Sequence, residues 1–414
     1  MQIRHAIYVA VGVVLLVVGG AAAQERHGGA GMPASEVEVR SADGRVSIPF
    51  ELKNNHVIIP ILVNGSKFDV VLDTGMPMDG LMLYGSDRVD GLGLKYAGFK
   101  AHIGGAGGEG DRLEADIAMG VTIDVGDLRL RNATTIVSPP LHHFTSYHDG
   151  VIGASLFNNF VVDINYDDGR IGLHDPAAYV PAANAVSVPL TFEHNVPYAE
   201  VTVTTDEGKV VPLHVVVDLG ASHGISLNAG TTGGIGVPAR AIRTVIGRGV
   251  SGEVRGRVGR VQSLELGGVS LAGVVATFPD DEHQHPRGMD SRNGNLGDGV
   301  LQRFNVAFDY AHRRMLLVRN ERFAEPFEWD MSGIGMQPDG DAALRIASIV
   351  DGSPAAKAGL AVDDLVTHVD GRAVSPADLF AIREQMKQAG KEIEITATRD
   401  GKPIEVRLKL RRMV

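Results

Sequence analysis

At 414 residues the chain is longer than one hydrophobic core comfortably serves, so two or three domains are expected. It is 44% apolar and 21% charged, an ordinary globular composition, and its 52 glycines and 19 prolines against few aromatics point to tight turns and short strands. A net charge of −11 argues against nucleic acid or an anionic membrane surface as the main partner, and the lack of cysteine excludes disulfides, a lipid-modified Cys and a thiol nucleophile.

Residues 1–23 have the pattern of a signal peptide: Arg4 and His5, an apolar run from Ile7 to Val18, then Gly19-Gly20 and Ala21-Ala22-Ala23 as a cleavage site. The run is near the lower limit for spanning a bilayer, so an uncleaved anchor is the alternative. Either way the body of the protein is exported, periplasmic or secreted, and touches membrane only if that segment stays. Residues 24–38 are Gly-, Ala- and polar-rich without a period and read as a flexible linker, with folding expected to start near Val39.

Residues 39–181 and 182–325 then read as two copies of one β-rich unit. In the first, the strand segments are His56 to Val63, Lys67 to Leu72, Ala118 to Val125, Leu128 to Val137 and Phe160 to Leu173. The second repeats the order with Tyr198 to Val203, Val210 to Val217, Val261 to Leu266, Val269 to Phe278 and Phe304 to Val318. Gly126-Asp127 and Gly267-Gly268 mark corresponding hairpin turns. An apolar run closes on Asp73-Thr74-Gly75 in one copy and on Asp218-Leu219-Gly220-Ala221-Ser222 in the other, and each is followed by a hydrophobic-Gly signature, Ile152-Gly153 and Leu296-Gly297. The two aspartates stand 145 positions apart and the two later glycines 144, which marks an internal duplication.

Two carboxylates from related positions suit one chemistry in particular. Held about 3 Å apart they cannot both ionise, so one keeps a proton and the pair can act as acid and base on a water and a carbonyl. Each Asp must then sit on a tight turn whose Gly admits close backbone approach. Asp73-Thr74-Gly75 and Asp218-Leu219-Gly220 fit, and a pseudo-twofold would place them face to face.

On these residues, with the Phe-x-Val-x-Phe-Asp-Tyr stretch ending at Tyr310, the chain resembles the aspartic proteases, specifically two-lobed bacterial relatives of the retropepsin type with a C-terminal PDZ module. The resemblance implies two acid-protease β lobes, a dyad of Asp73 and Asp218, and a Thr74 hydroxyl that braces the site across the lobes. Leu219 departs from the Thr or Ser the family has there, and Met76-Pro77-Met78 is unusual after the first Gly. A catalytically silent peptide-binding protein with the same cleft is therefore a second reading. A third pairs two chains through Asp73 of each.

Gly-rich stretches follow each Asp at matched offset, around Gly104-Gly105 and around Gly247, and by resemblance these are flaps over bound peptide, with Ser222 beside the second turn. The first is acidic (Glu109, Asp111, Glu114, Asp116) and the second basic (Arg240, Arg243, Arg248, Arg255, Arg257, Arg260), which suggests attraction across the cleft. His142, His143 and His148, and His283 with His285, lack the spacing of a zinc motif and read as surface-loop histidines, so neither metal nor cofactor is expected.

Residues 326–414 change texture and form an α+β module. Gly333-Ile334-Gly335-Met336 resembles the carboxylate-binding loop of PDZ domains, Ser353 to Leu360 resembles their bacterial form, and Ser375 to Gln388 has helical spacing. The resemblance implies capture of peptide or protein C-termini in a groove beside that helix. The expected whole is mainly β, an exported aspartic endopeptidase acting on extended polypeptide.

Overall fold

Short apolar runs that alternate with polar residues, separated by Gly and Asn turns, leave most of this chain no stable choice but strands packed in sheets. The computed structural model describes residues 34–42, 44–104, 113–141, 147–229, 235–250, 252–280, 292–340 and 343–414, with the backbone of 8–9. The signal segment otherwise lies outside the described residues, and no helix among those described is long and apolar enough to cross a membrane. Among them the strands form two ten-stranded and two six-stranded sheets.

The first ten-stranded sheet is built on His56–Val63, Ser66–Leu72, Leu81–Tyr84, Tyr96–Ile103, Leu113–Val125, Leu128–Ser138 and Gly150–Ile152. The second repeats it with Val196–Thr204, Val210–Asp218, Ile225–Leu227, Ile242–Gly249, Gly252–Arg260, Ser263–Leu266, Val269–Ala272, Val275–Pro279 and Gly294–Gly297. Two long strands of the first copy are each broken in the second, so Val269 to Phe278, expected as one segment, is two strands. In both sheets a short late strand threads between the one entering the Asp turn and the one leaving it. Ile152 pairs with Leu72 in parallel and Leu81 in antiparallel, and Leu296 pairs likewise with Val217 and Ile225. This threading explains the glycines that follow: a Cβ on Gly153 would lie 2.2 Å from the Asp73 carbonyl oxygen, and one on Gly297 would lie 2.6 Å from that of Ala221.

The two copies meet in a six-stranded sheet ordered Val186–Pro189, Arg314–Arg319, Phe304–Asp309, Val161–Asn165, Arg170–His174, Val46–Pro49. Its centre is self-complementary. Val162 faces Phe308, Asp163 faces Ala307 and Ile164 faces Val306, so residues 144 apart in sequence exchange places about the Asp163–Ala307 pair. Phe160 to Leu173 and Phe304 to Val318 are thus hairpins, not single strands. The linker is shorter than expected, because Glu36–Val39 is already a strand, antiparallel to Leu128–Arg131.

A separate core built on Met336, Leu344, Ile346, Val366, Ile382, Ile393 and Ile395 closes the C-terminal sheet. The helix expected over Ser375 to Gln388 is confined to Leu379–Gln385, after a 3-10 turn at Pro376–Asp378 capped by Ser375 and Asp378. Arg260 ties this part to the second sheet by donating to the carbonyls of Phe327 (2.7 Å) and Val414 (3.1 Å).

The threading carries a test of its own. Gly153→Ala drives a methyl into the Asp73 turn, and chemical denaturation should show a loss of about 1–3 kcal/mol; an unchanged midpoint and slope would contradict this packing.

Candidate active site

Both aspartates sit where a buried strand ends in a two-residue turn, and both are fully buried. The Gly75 N–H donates to Asp73 Oδ1 at 2.6 Å and the Gly220 N–H to Asp218 Oδ1 at 2.9 Å, the same bond in each copy. Each turn's glycine also lies against the other copy's carboxyl. A Cβ on Gly220 would meet Asp73 Oδ2 at 2.5 Å, and one on Gly75 would meet Asp218 Oδ1 at 3.2 Å. Only a residue without a side chain lets the carboxyls approach from both sides.

Bonds between the copies lock the turns across the interface. The Thr74 hydroxyl donates to the Val217 carbonyl (2.7 Å) and accepts from the Leu219 N–H (3.0 Å). Leu219, fully buried in the core, has no hydroxyl to return the bond, so this brace is one-sided. A second brace is two-sided. Asn55 Nδ2 donates to the Ser222 carbonyl at 2.7 Å, and Asn195 Nδ2 donates to the Pro77 carbonyl at 2.8 Å. Both asparagines sit in hairpin turns at positive φ, 57° and 68°, which Asn tolerates better than most residues. Beside Asn55, His56 Nε2 meets the Gly220 carbonyl at 3.1 Å.

Burial, then the nearby negative charge of Asp218, hold the Asp73 carboxyl well above the ordinary carboxylate range, against the pull of the Gly75 and Gly220 N–H groups. No side-chain donor reaches Asp73 Oδ2 among the described residues, and the Asp218 carboxyl lies close enough to raise that of Asp73. Asp218 Oδ2 is different: Asn295 Nδ2 donates to it at 2.6 Å. Burial pushes His56 down to about 4, so it is neutral at neutral pH. Within the chain, the carboxyl that faces Asp73 is that of Asp218.

Ser222 contributes its carbonyl to the Asn55 brace, and the places where side chains would stand on Gly104 and Gly247 are open. Gly105 lies outside the described residues, as do Glu109, Asp111, His142, His143, His283 and His285. His148 is not a surface residue. It is buried against Tyr84 and Tyr147, its Nδ1 3.2 Å from the Gly150 carbonyl. No cross-cleft ion pair joins the flap arms among the described residues; instead Arg248 and Arg255 pair with Glu253, and Arg243 with Asp280. Nor do the described residues contain a cluster able to hold a metal ion.

In the C-terminal part, the amides expected to cradle a terminal carboxylate are partly in use. The Gly333 N–H donates to Asp330 Oδ1 and the Ile334 N–H to Ser332 Oγ at 3.0 Å. Arg383, from the helix, donates to the Met336 carbonyl at 3.0 Å, so the helix and the strand Ile334–Asp339 are bridged directly. The neighbouring Phe380 packs edge-on against Tyr147, ring centroids 4.7 Å apart, and Tyr147 stacks on His56.

The fold and this pair of turns define an aspartic-protease-type domain followed by a PDZ domain. Residues 200–301 match the family model described as Aspartyl protease, and residues 332–410 match the PDZ domain. Among curated proteins, the chain is similar to a probable CtpA-like serine protease of Staphylococcus saprophyticus, 28% identical over 134 residues, 31% of this chain and 26% of that protein. The chain thus spans about a quarter of that relative's length. A match of 134 residues is too short to hold both Asp73 and Asp218, which stand 145 positions apart.

One interface group titrates in a useful range. Asp298 accepts from the Tyr166 hydroxyl at 2.5 Å and is pushed up by burial to about 8 from an ordinary 3.8. A carboxyl raised on folding stabilises the protein while protonated, and that contribution fades as pH rises from about 4 to about 8. Unfolding free energy should fall across that window in the native protein and fall less in Asp298→Asn; equal slopes would contradict the assignment.

Proposed function

We propose that the protein is an exported aspartic endopeptidase that cleaves extended polypeptide with water activated by Asp73 and Asp218. The observation that carries this reading is the mutual burial of the two carboxyls, each beneath the other copy's turn glycine. The aspartyl-protease match over the second copy supports it.

The chemistry then follows from the arrangement. One carboxylate takes a proton from a water as the water oxygen bonds to the scissile carbonyl carbon. The carbonyl oxygen takes the proton held by the other carboxyl, which gives a neutral gem-diol. Collapse reverses the roles: the amide nitrogen receives the proton taken from water, the C–N bond breaks, and a diol hydroxyl returns its proton to the dyad. Backbone donors orient the acids, and no nucleophile on the enzyme is acylated.

Asp73→Asn and Asp218→Asn should each lower turnover of an unfolded protein at least about a hundredfold. A statine-type inhibitor should block the native enzyme. Full activity in either variant would contradict the mechanism. Retained peptide affinity with no turnover in the native protein would leave peptide binding, which the missing hydroxyl at Leu219 and the one-sided Thr74 brace favour.

The PDZ groove, on this reading, takes peptide C-termini added as a strand beside Ile334–Asp339. Such a strand competes with Arg383 for the Met336 carbonyl. Arg383→Ala should therefore tighten binding of C-terminal peptides by several-fold in a fluorescence titration of the full chain; weaker binding would instead make Arg383 part of the recognition surface.

A further inference from the structure

The two halves of the dyad are related by duplication, yet their surroundings are not. In the first copy the residues that follow and flank the Asp73 turn are largely apolar: Met76, Met78, Val151, Met82 and Tyr84 form one buried cluster. In the second copy the positions of Val151 and Met78 are taken by Asn295 and His223. These make a chain that ends on Asp218. His223 Nε2 lies 3.1 Å from the Asn295 backbone carbonyl and 3.0 Å from Asn295 Oδ1, and Asn295 Nδ2 lies 2.6 Å from Asp218 Oδ2.

The orientation of that chain is determined. A backbone carbonyl can only accept, so His223 Nε2 carries a hydrogen. The side-chain atom of Asn295 beside it must then be the oxygen, which turns the amide nitrogen to Asp218. With Gly220 on Oδ1 and Asn295 on Oδ2, both oxygens of Asp218 have donors suited to an anion. Asp73 takes the Gly75 N–H on Oδ1 and is pulled on by the Gly220 N–H, but no side-chain donor reaches its Oδ2 among the described residues.

We propose that Asn295 and His223 are positioning residues that polarise the dyad: they hold Asp218 as the charged base and leave the proton on Asp73. This rests on the peptidase reading for its consequence, and it makes that reading specific. Asp218 takes the proton from water and later passes it to the leaving amine; Asp73 protonates the carbonyl oxygen and recovers its proton when the diol collapses. Each proton is accounted for, and no further reactant is needed.

The other titratable groups facing the pair are His56 on the Gly220 carbonyl, Tyr84 near Asp73, and Tyr310 near both. None of them breaks the symmetry as a donor to a carboxylate oxygen. Burial lowers the basicity of His56 and His223 and raises the hydroxyls of Tyr84 and Tyr310, so all four are neutral at neutral pH.

The test uses the full chain and two readouts. In protein carrying carbon-13 at the Asp carboxyls, one dyad resonance at neutral pH should have the shift of a protonated carboxyl and should vanish in Asp73→Asn. In Asn295→Val, which installs the first copy's residue, the second dyad carboxyl should protonate about one pH unit higher. The acid limb of kcat/KM should move with it, and kcat should fall about tenfold with KM nearly constant. His223→Gln keeps a donor to Asn295 and should stay within threefold of native, whereas His223→Leu should shift the limb in the same direction as Asn295→Val and serves if that variant does not fold. Loss of the protonated resonance in Asp218→Asn instead of Asp73→Asn, or carboxyl titrations unchanged in the folded Asn295→Val and His223→Leu variants, would overturn the proposal. Absence of turnover in the native protein would sink the peptidase reading, while the carboxyl resonances would still decide this one.

Discussion

Everything at the candidate site depends on the antiparallel pairing of Val161–Asn165 with Phe304–Asp309. Because residues related by duplication face each other about Asp163 and Ala307, the register is the only one that places the two copies on a common pseudo-twofold axis. A slip by one residue would turn every side chain of these strands to the opposite face and move the packed Phe157, Phe308 and Tyr310 rings out of contact. The Asp turns, the threaded glycines and the asparagine braces are positioned by that one strand pair, without disulfides in a chain that has no cysteine.

Placing two acids in such an interface costs free energy, and the fold offsets the cost through donors that strand and turn geometry already provide. Gly75 and Gly220 supply backbone N–H groups, and the raised Asp73 carboxyl lowers the cost of two like charges held together. The braces then keep the turns from relaxing apart. Asn55 and Asn195 do this symmetrically, and Thr74 does it from one side. Where duplication has drifted, the drift is informative. Asp298 gives the Tyr166 hydroxyl an acceptor, whereas the matching position in the first copy is Ala154, and the Tyr310 hydroxyl accordingly has no partner among the described residues.

The β-rich fold, the duplication and the two Asp turns were legible because each leaves a local mark: alternating burial, a repeat at constant spacing, and Gly where no Cβ fits. Asn55, Asn195, His56, Asn295 and His223 left none. An Asn before a hydrophobic run reads as an ordinary turn residue, and its bond to a carbonyl more than a hundred residues away exists only once the two copies dock. The signal that could have found Asn295 was the alignment of the copies against each other, where an amide replaces Val151 beside a conserved geometry. His148 misled for the opposite reason: its polar neighbours in sequence suggested solvent, whereas the aromatic side chains of Tyr84 and Tyr147 close over it. The partial use of the PDZ loop amides was equally unreadable, since Asp330 reaches them through a turn with no marked composition.

The central claim is that Asp73 and Asp218 hold a single proton between them across the pseudo-twofold. Neutron diffraction from deuterium-exchanged crystals observes it directly. The account predicts facing carboxyl oxygens within hydrogen-bonding distance and one deuteron on the pair; carboxyls several ångströms apart, or both fully ionised at neutral pH, would contradict it.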